Sequence, residues 1–326
     1  MIVGPQPANP PPSAPSSFVR WYVRIPLKWL VFLAVTFLVL YPSPSRFAKH
    51  VGHLRNLDAM VEPKAPDLAA WDEELRQRLA KGTAAKAPTT QPFQELLRSL
   101  PPQRVQASVE AFVYEKVKYA WDWETWGVAD YLPTVAEMFA EAAKTGGAPL
   151  REDCDGRAVM AASLMRRLGY DSHIVTDVRH VWVTTPQGEW MGPGRAKTMV
   201  STPQGNKIAL WTASENVPVS LSYGIAVFPL GRELLILLAA YALSVCRRMS
   251  RASAALGGLF LLQGLLFMRC GILAPKGAPD FTASWPAWAG IMHWAAAFFV
   301  LWRAAHRTRQ PIGRPASTEQ SVVKGR

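Results

Sequence analysis

The placement of charge constrains this chain of 326 residues more than any other feature. Residues 44–222 carry 21 Lys and Arg against 21 Asp and Glu, and are therefore neutral. The flanks, residues 1–43 and 223–326, carry 15 basic and three acidic residues, the whole net charge of +12. Both flanks are built around apolar runs. A bilayer-anchored chain collects its excess there, because basic residues hold the cytoplasmic ends of membrane helices. The same distribution excludes a nucleic-acid face on the neutral part, which lacks the cationic surplus that phosphate binding requires.

Residues 4–17 are rich in proline, so residues 1–25 are expected to form a disordered cytoplasmic tail. Arg20, Arg24 and Lys28 then precede the uncharged run Trp29–Tyr41, which predicts a transmembrane helix or signal anchor over residues 26–43. That core is short beside the roughly 20 residues of a span, so a cleaved signal peptide is the other reading; the long preceding tail favours an uncleaved anchor. Three more spans are expected at 225–246, 252–273 and 284–302. Arg247, Arg248 and Arg251 separate the first two, and a basic cytoplasmic tail, residues 303–326, follows the last. Only Arg232, Arg269 and Lys276 flank the outer ends. Trp285 and Trp288 at one end of the last span and Trp302 at the other suit an aromatic belt. The pattern predicts four spans, both termini in the cytoplasm and residues 44–222 exported as one domain. His293 in the last span is read as hydrogen-bonding between helices. The spans carry too few polar residues for a transport pathway.

Within the exported segment, helices are predicted at 67–81, 93–100, 105–119, 135–144 and 155–168. Strands are predicted at 172–177, 180–185, 198–202 and 207–212. This is an α+β domain with its core over residues 103–212, followed by α-helical membrane segments. On the helix 155–168, Ala158, Ala162 and Met165 mark one face, and Arg157, Arg166 and Arg167 are left for the wet side.

Cys154 is the only cysteine of this segment, since Cys246 and Cys270 fall in apolar runs, so no disulfide framework is available. It stands at the start of a helix, where free N–H groups and the helix dipole favour a thiolate. His180 opens a strand and can hold and return the proton. The bland alternatives are a buried inert thiol and a sheet histidine whose hydrogen bonds are satisfied. His173 is read as structural, and Trp121, Trp123 and Trp126 as core or cleft wall.

The pieces Trp126-Gly127-Val128-Ala129-Asp130-Tyr131, Glu152-Asp153-Cys154-Asp155, Leu168-Gly169-Tyr170 and His180-Val181-Trp182-Val183 resemble, in this order, the transglutaminase-like superfamily. The nearest subgroup is the bacterial transglutaminase-like cysteine proteinases, and the likeness covers roughly residues 103–192. The resemblance implies a papain-like core and a bacterial source; with the spans and their charges, the expectation is an inner-membrane protein whose catalytic domain lies outside the cytoplasm. It also implies Cys154 as nucleophile, His180 as its base, and a protein or peptide substrate. The third member normally lies on the next strand, in a pattern like Trp-x-x-Leu-Asp-Pro. Here Glu189-Trp190-Met191-Gly192-Pro193 places Gly192 where the Asp is expected, and leaves Asn206 or Glu189 as substitutes. Three functional readings follow: a thiol peptidase or amidase, a binding module that has lost catalysis, and a cross-linking acyltransferase. No cofactor is required. Asp122, Asp153 and Asp155 are hard oxygen donors that suit calcium, whereas Cys154 and His180 alone are too few for zinc.

Overall fold

The computed structural model describes residues 17–81, 93–147, 149–177, 180–192, 197–247, 249–270 and 280–307. The expected proline-rich tail up to residue 16, Arg179, Pro193, the outer loop with Lys276 and the basic tail beyond residue 307 lie outside the described residues.

The chain opens with helix α1 (Ser17–Leu40), whose Val23–Leu40 stretch is long and apolar enough to cross a membrane. Leu27, Leu30 and Leu33 on it are more than half exposed, as lipid-facing residues are. A mostly helical layer follows: α2 (Pro44–Arg55), α3 (Ala69–Lys81), α4 (Phe93–Ser99) and α5 (Pro102–Lys116). Strand β1 (Val117–Tyr119) leaves α5 directly, so Val117 and Tyr119, expected on that helix, are extended. Next come the short α6 (Asp122–Thr125), α7 (Val135–Lys144), β2 (Leu150–Glu152) and α8 (Cys154–Arg167). α7 begins with a capping box between Thr134 and Glu137.

Five strands, β3 (His173–Thr176), β4 (Val181–Thr185), β5 (Gly188–Trp190), β6 (Met199–Val200) and β7 (Lys207–Ile208), form an antiparallel sheet in the order β5-β4-β3-β6-β7. Val175 lies opposite Trp182 on one side and Val200 on the other, and Val183 lies opposite Trp190. The last strand stops at Ile208 rather than 212. Its edge is short, and from Leu210 the chain enters a helix.

Helix α8 lies against β3 and β4 and is the centre of the core. Ala158, Val159, Met160, Ala161, Ala162, Leu164 and Met165 are all fully buried, so the helix is covered on every side rather than on one stripe. Its arginines are partly buried and bonded to other segments. Arg157 donates to Val117 O at 2.8 Å. Arg166 pairs with Asp58 and donates to Ser172 O. Arg167 pairs with Asp72 and donates to Pro63 O at 3.0 Å. Each arginine ties a neighbouring segment to the helix that the core surrounds.

After the sheet, the described residues lie mostly in helices: α9 (Leu210–Val227), α10 (Leu230–Ser244), α11 (Arg251–Cys270) and α12 (Asp280–Arg307). α11 is the second helix long and apolar enough to cross a membrane. The expected span 225–246 is not one straight helix. α9 and α10 meet at a bend of 116°. Pro229 is the cause: it forces Phe228 into the extended region (φ −76°, ψ 152°), which no helix can pass through. α11 and α12 approach until backbones nearly touch. A Cβ on Gly290 would stand 2.9 Å from Gly264 O, and one on Gly264 would stand 3.0 Å from Gly290 O. His293 bonds Ala289 O within its own helix at 2.7 Å, and its ring meets Phe260 and Phe267 of α11.

Candidate active site

Two pairings carry Cys154 and His180 into one cleft. β1 and β2 run parallel, with Tyr119 opposite Glu152. The residues that follow the two strands, Trp121–Asp122 and Asp153–Cys154, therefore emerge side by side. α8 then starts at Cys154, capped by the Asp153 carboxylate, which accepts the Asp155 N–H at 3.1 Å. On the sheet, α8 faces the leading end of β4, and the Cys154 sulfur accepts the Val181 N–H. Cys154, Val181 and His180 share a cleft of about 450 Å³ with Trp121, Asp122 and Asp130.

His180 is held from three directions. Its N–H donates to Asp177 Oδ1 at 2.7 Å, its ring stacks on Trp182, and its Nε2 lies 3.0 Å from Met191 O. A carbonyl oxygen only accepts, so Nε2 is the donor, and in the neutral ring Nδ1 is the nitrogen that offers a lone pair. Met191 is the only described residue other than glycine with a positive φ, at 66°, and Gly192 follows at 73°. This left-handed pair turns the Met191 carbonyl onto the ring. Gly192 leaves the space: a Cβ there would sit 3.4 Å from His180 Nε2.

The side chains expected to orient His180 are engaged elsewhere. Asn206 accepts the Leu57 N–H at 3.2 Å and donates to Leu54 O at 2.7 Å. Glu189 accepts Trp182 Nε1–H at 3.1 Å and pairs with Lys197, so it steadies the ring beneath His180 and not His180 itself. Met191 was not legible as a site residue, because the group it contributes is its main chain. The one trace in the sequence is Gly192 at the position where an acidic side chain was sought. Among the other expected residues, Trp126 is core, Trp121 and Trp123 are cleft wall, and His173 is bound to Asp58 and Asp171.

The electrostatics run against a resting thiolate. Burial, followed by the negative field of Asp153, pushes the Cys154 thiol well above its ordinary range. Burial and mutual repulsion likewise hold Asp122, Asp155 and Glu152 well above the usual carboxylate range, and Asp153 above it. Oxygens of Asp122, Asp153 and Asp155 lie within 4.8 Å of one another. Oxygens that share one calcium ion at about 2.3–2.6 Å stand at most about 5 Å apart, so the cluster has the required size. Asp122 Oδ2 accepts the Tyr131 N–H at 2.8 Å, while its buried Oδ1 has no hydrogen-bond partner. The donor set and this orphaned oxygen fit a hard divalent cation.

No known protein family, curated protein or solved structure matches the chain.

Proposed function

We propose that the protein is a membrane-anchored thiol hydrolase, a peptidase or amidase of transglutaminase-like type with a papain-like core. In this reading residues 44–222 lie outside a bacterial cytoplasmic membrane that the chain crosses four times. The observation that carries it is His180, held by Nε2 at 3.0 Å from Met191 O, in the same cleft as a cysteine at a helix N-terminus.

The chemistry follows from that arrangement. Cys154 Sγ adds to an amide carbonyl carbon while its proton passes to His180 Nδ1. The Cys154 backbone N–H, at the start of α8, meets the developing oxyanion. His180 returns the proton to the departing amine, leaving a thioester. Water, deprotonated by His180, then adds to the thioester and releases the acid and the thiol; an amine in place of water would make the reaction a cross-link. The Met191 carbonyl supplies the orientation that a side-chain acid supplies elsewhere. Asp122, Asp153 and Asp155 would hold calcium, whose charge would offset the field that opposes ionisation of the sulfur.

A second reading, a binding module tethered to the membrane, is favoured by the raised thiol and by Gly192 in place of an acid. The separating experiment uses the full chain in detergent with Cys246 and Cys270 changed to Ala. Modification of Cys154 by iodoacetamide, measured by mass spectrometry, is expected to slow at least tenfold in His180→Ala. Modification that ignores His180, or none at all, would sink the enzyme reading and leave the binding module.

A further inference from the structure

The cleft has two walls of opposite chemistry. Beside the Asp122, Asp153 and Asp155 cluster, the domain wall holds the carboxylates of Asp130 and Asp177, which form its acidic part, and among the described residues that line the cleft there is no Lys or Arg. The other wall is the α9–α10 bend, through Leu221, Ile225, Val227, Phe228 and Ile236. That bend is fastened on both sides. Arg269 of α11 donates to Ile225 O and Phe228 O, at 3.2 and 3.0 Å, and to Glu233 at 2.5 Å. From the domain, Trp123 Nε1–H reaches Val227 O at 3.0 Å, and Arg232 reaches back to Gly127 O at 2.9 Å. Leu40, the last residue of the apolar stretch Val23–Leu40, also lines the cleft, and its carbonyl accepts the Ala129 N–H at 2.9 Å. The cleft therefore reaches the end of a helix long and apolar enough to cross a membrane, and about half its lining belongs to that helix, α9 and α10.

From this, and resting on the hydrolase reading above, we infer that the substrate arrives in the plane of the membrane. It is a polypeptide with its own membrane helix, attacked in the short basic segment where that helix leaves the bilayer. An apolar wall at bilayer height receives the end of the substrate helix, and the acidic wall receives the Lys or Arg beside the scissile bond. Phospholipid headgroups are the poorer fit, because the carboxylates repel their phosphates. Soluble peptides would leave the apolar wall facing water.

The test uses the full chain in nanodiscs, with Cys246 and Cys270 changed to Ala. The probes are peptides of about twenty apolar residues, enough for one span, ending in Lys and an acyloxymethyl ketone. The Cys154 sulfur displaces the carboxylate of that ketone and forms a thioether. One probe places the electrophile directly beyond the helix; a second inserts a flexible linker of about twenty residues, which reaches about 25 Å. Both sit in the same membrane, so their local concentrations match. The close probe is expected to modify Cys154 at least tenfold faster, and a close probe with Glu in place of Lys at least tenfold slower than its Lys twin. Equal rates for the two spacings, a faster long-linker probe or indifference to Lys against Glu would overturn the inference. In those cases, reaction of iodoacetamide with Cys154 that depends on His180 would leave the hydrolase reading standing. If neither probe nor iodoacetamide modifies Cys154, that reading falls as well, and this inference with it.

Discussion

Changing Gly192 to Ala tests the main-chain orienter with a matched control. The backbone there has φ 73°, where an added Cβ costs about 1–2 kcal/mol, more than the ~0.4–1 kcal/mol gained by stiffening the unfolded chain. Gly169, which ends α8 at φ 93°, pays the same conformational term, and nothing lies within 4 Å of a Cβ placed on it. The two variants differ in one respect: at Gly192 the Cβ stands 3.4 Å from His180 Nε2. That distance is ordinary van der Waals contact, so the ring is disturbed only as the strained turn relaxes; because the turn sets the Met191 carbonyl, relaxation comes at the expense of its 3.0 Å hydrogen bond to His180, worth about 0.5–1.5 kcal/mol. Each kcal/mol moves the melting temperature of a domain this size by about 2–4 °C. Both variants should therefore melt a few degrees lower, Gly192→Ala by a degree or more beyond Gly169→Ala. Iodoacetamide modification of Cys154 should slow about three- to tenfold in Gly192→Ala, the rate equivalent of losing that bond, and stay unchanged in Gly169→Ala. Equal slowing in both variants, or none in Gly192→Ala, would refute the assignment of Met191 O as the group that orients His180.

Three further outcomes are expected. Calcium at millimolar concentration should raise the melting temperature of chelator-treated protein, and Asp155→Asn should remove most of that rise; scanning calorimetry with and without EDTA reads both. Burial alone would raise the Asp58 carboxyl, but the hydrogen bond and charge of Arg166, aided by His173, win and hold it below its ordinary value. The stability it contributes is thus present above the unfolded-state pKa and lost as pH falls through the lower folded one. Asp58→Asn should flatten the acid limb of a denaturation series below about pH 4. Where α11 meets α12, Gly290→Ala should cost about 1–3 kcal/mol by forcing the two helices apart. Gly231→Ala, with nothing within 4 Å of the added atom, should be neutral in the same detergent melt.

What was legible in advance was local. The placement of Lys and Arg marked the apolar runs, because membrane helices are bounded residue by residue along the chain. Asp153-Cys154-Asp155 before a helical pattern marked the start of α8, because a cap and a periodicity need only neighbours. Strands β3, β4, β6 and β7 were legible for the same reason, though the last was drawn four residues too long; β1, β2 and β5 were not predicted. The arginines of α8 were read as available for the wet side; they are partly exposed, but each is also bonded to a distant segment, which periodicity does not show.

The tertiary structure decided the rest. Parallel pairing of β1 with β2 sets Asp122 beside Asp153 and Asp155, a proximity that their distance along the chain conceals. The field of that cluster, with burial, raises the thiol that the helix end alone would have lowered. The group that orients His180 is a backbone carbonyl, which every residue possesses and no sequence pattern marks. The apolar wall of the cleft comes from a helix pair that reads as a plain membrane span until Pro229 folds it by 116° onto the domain. Local propensity is written in adjacent residues; the placement of charges, carbonyls and walls around Cys154 depends on contacts between segments far apart in the chain.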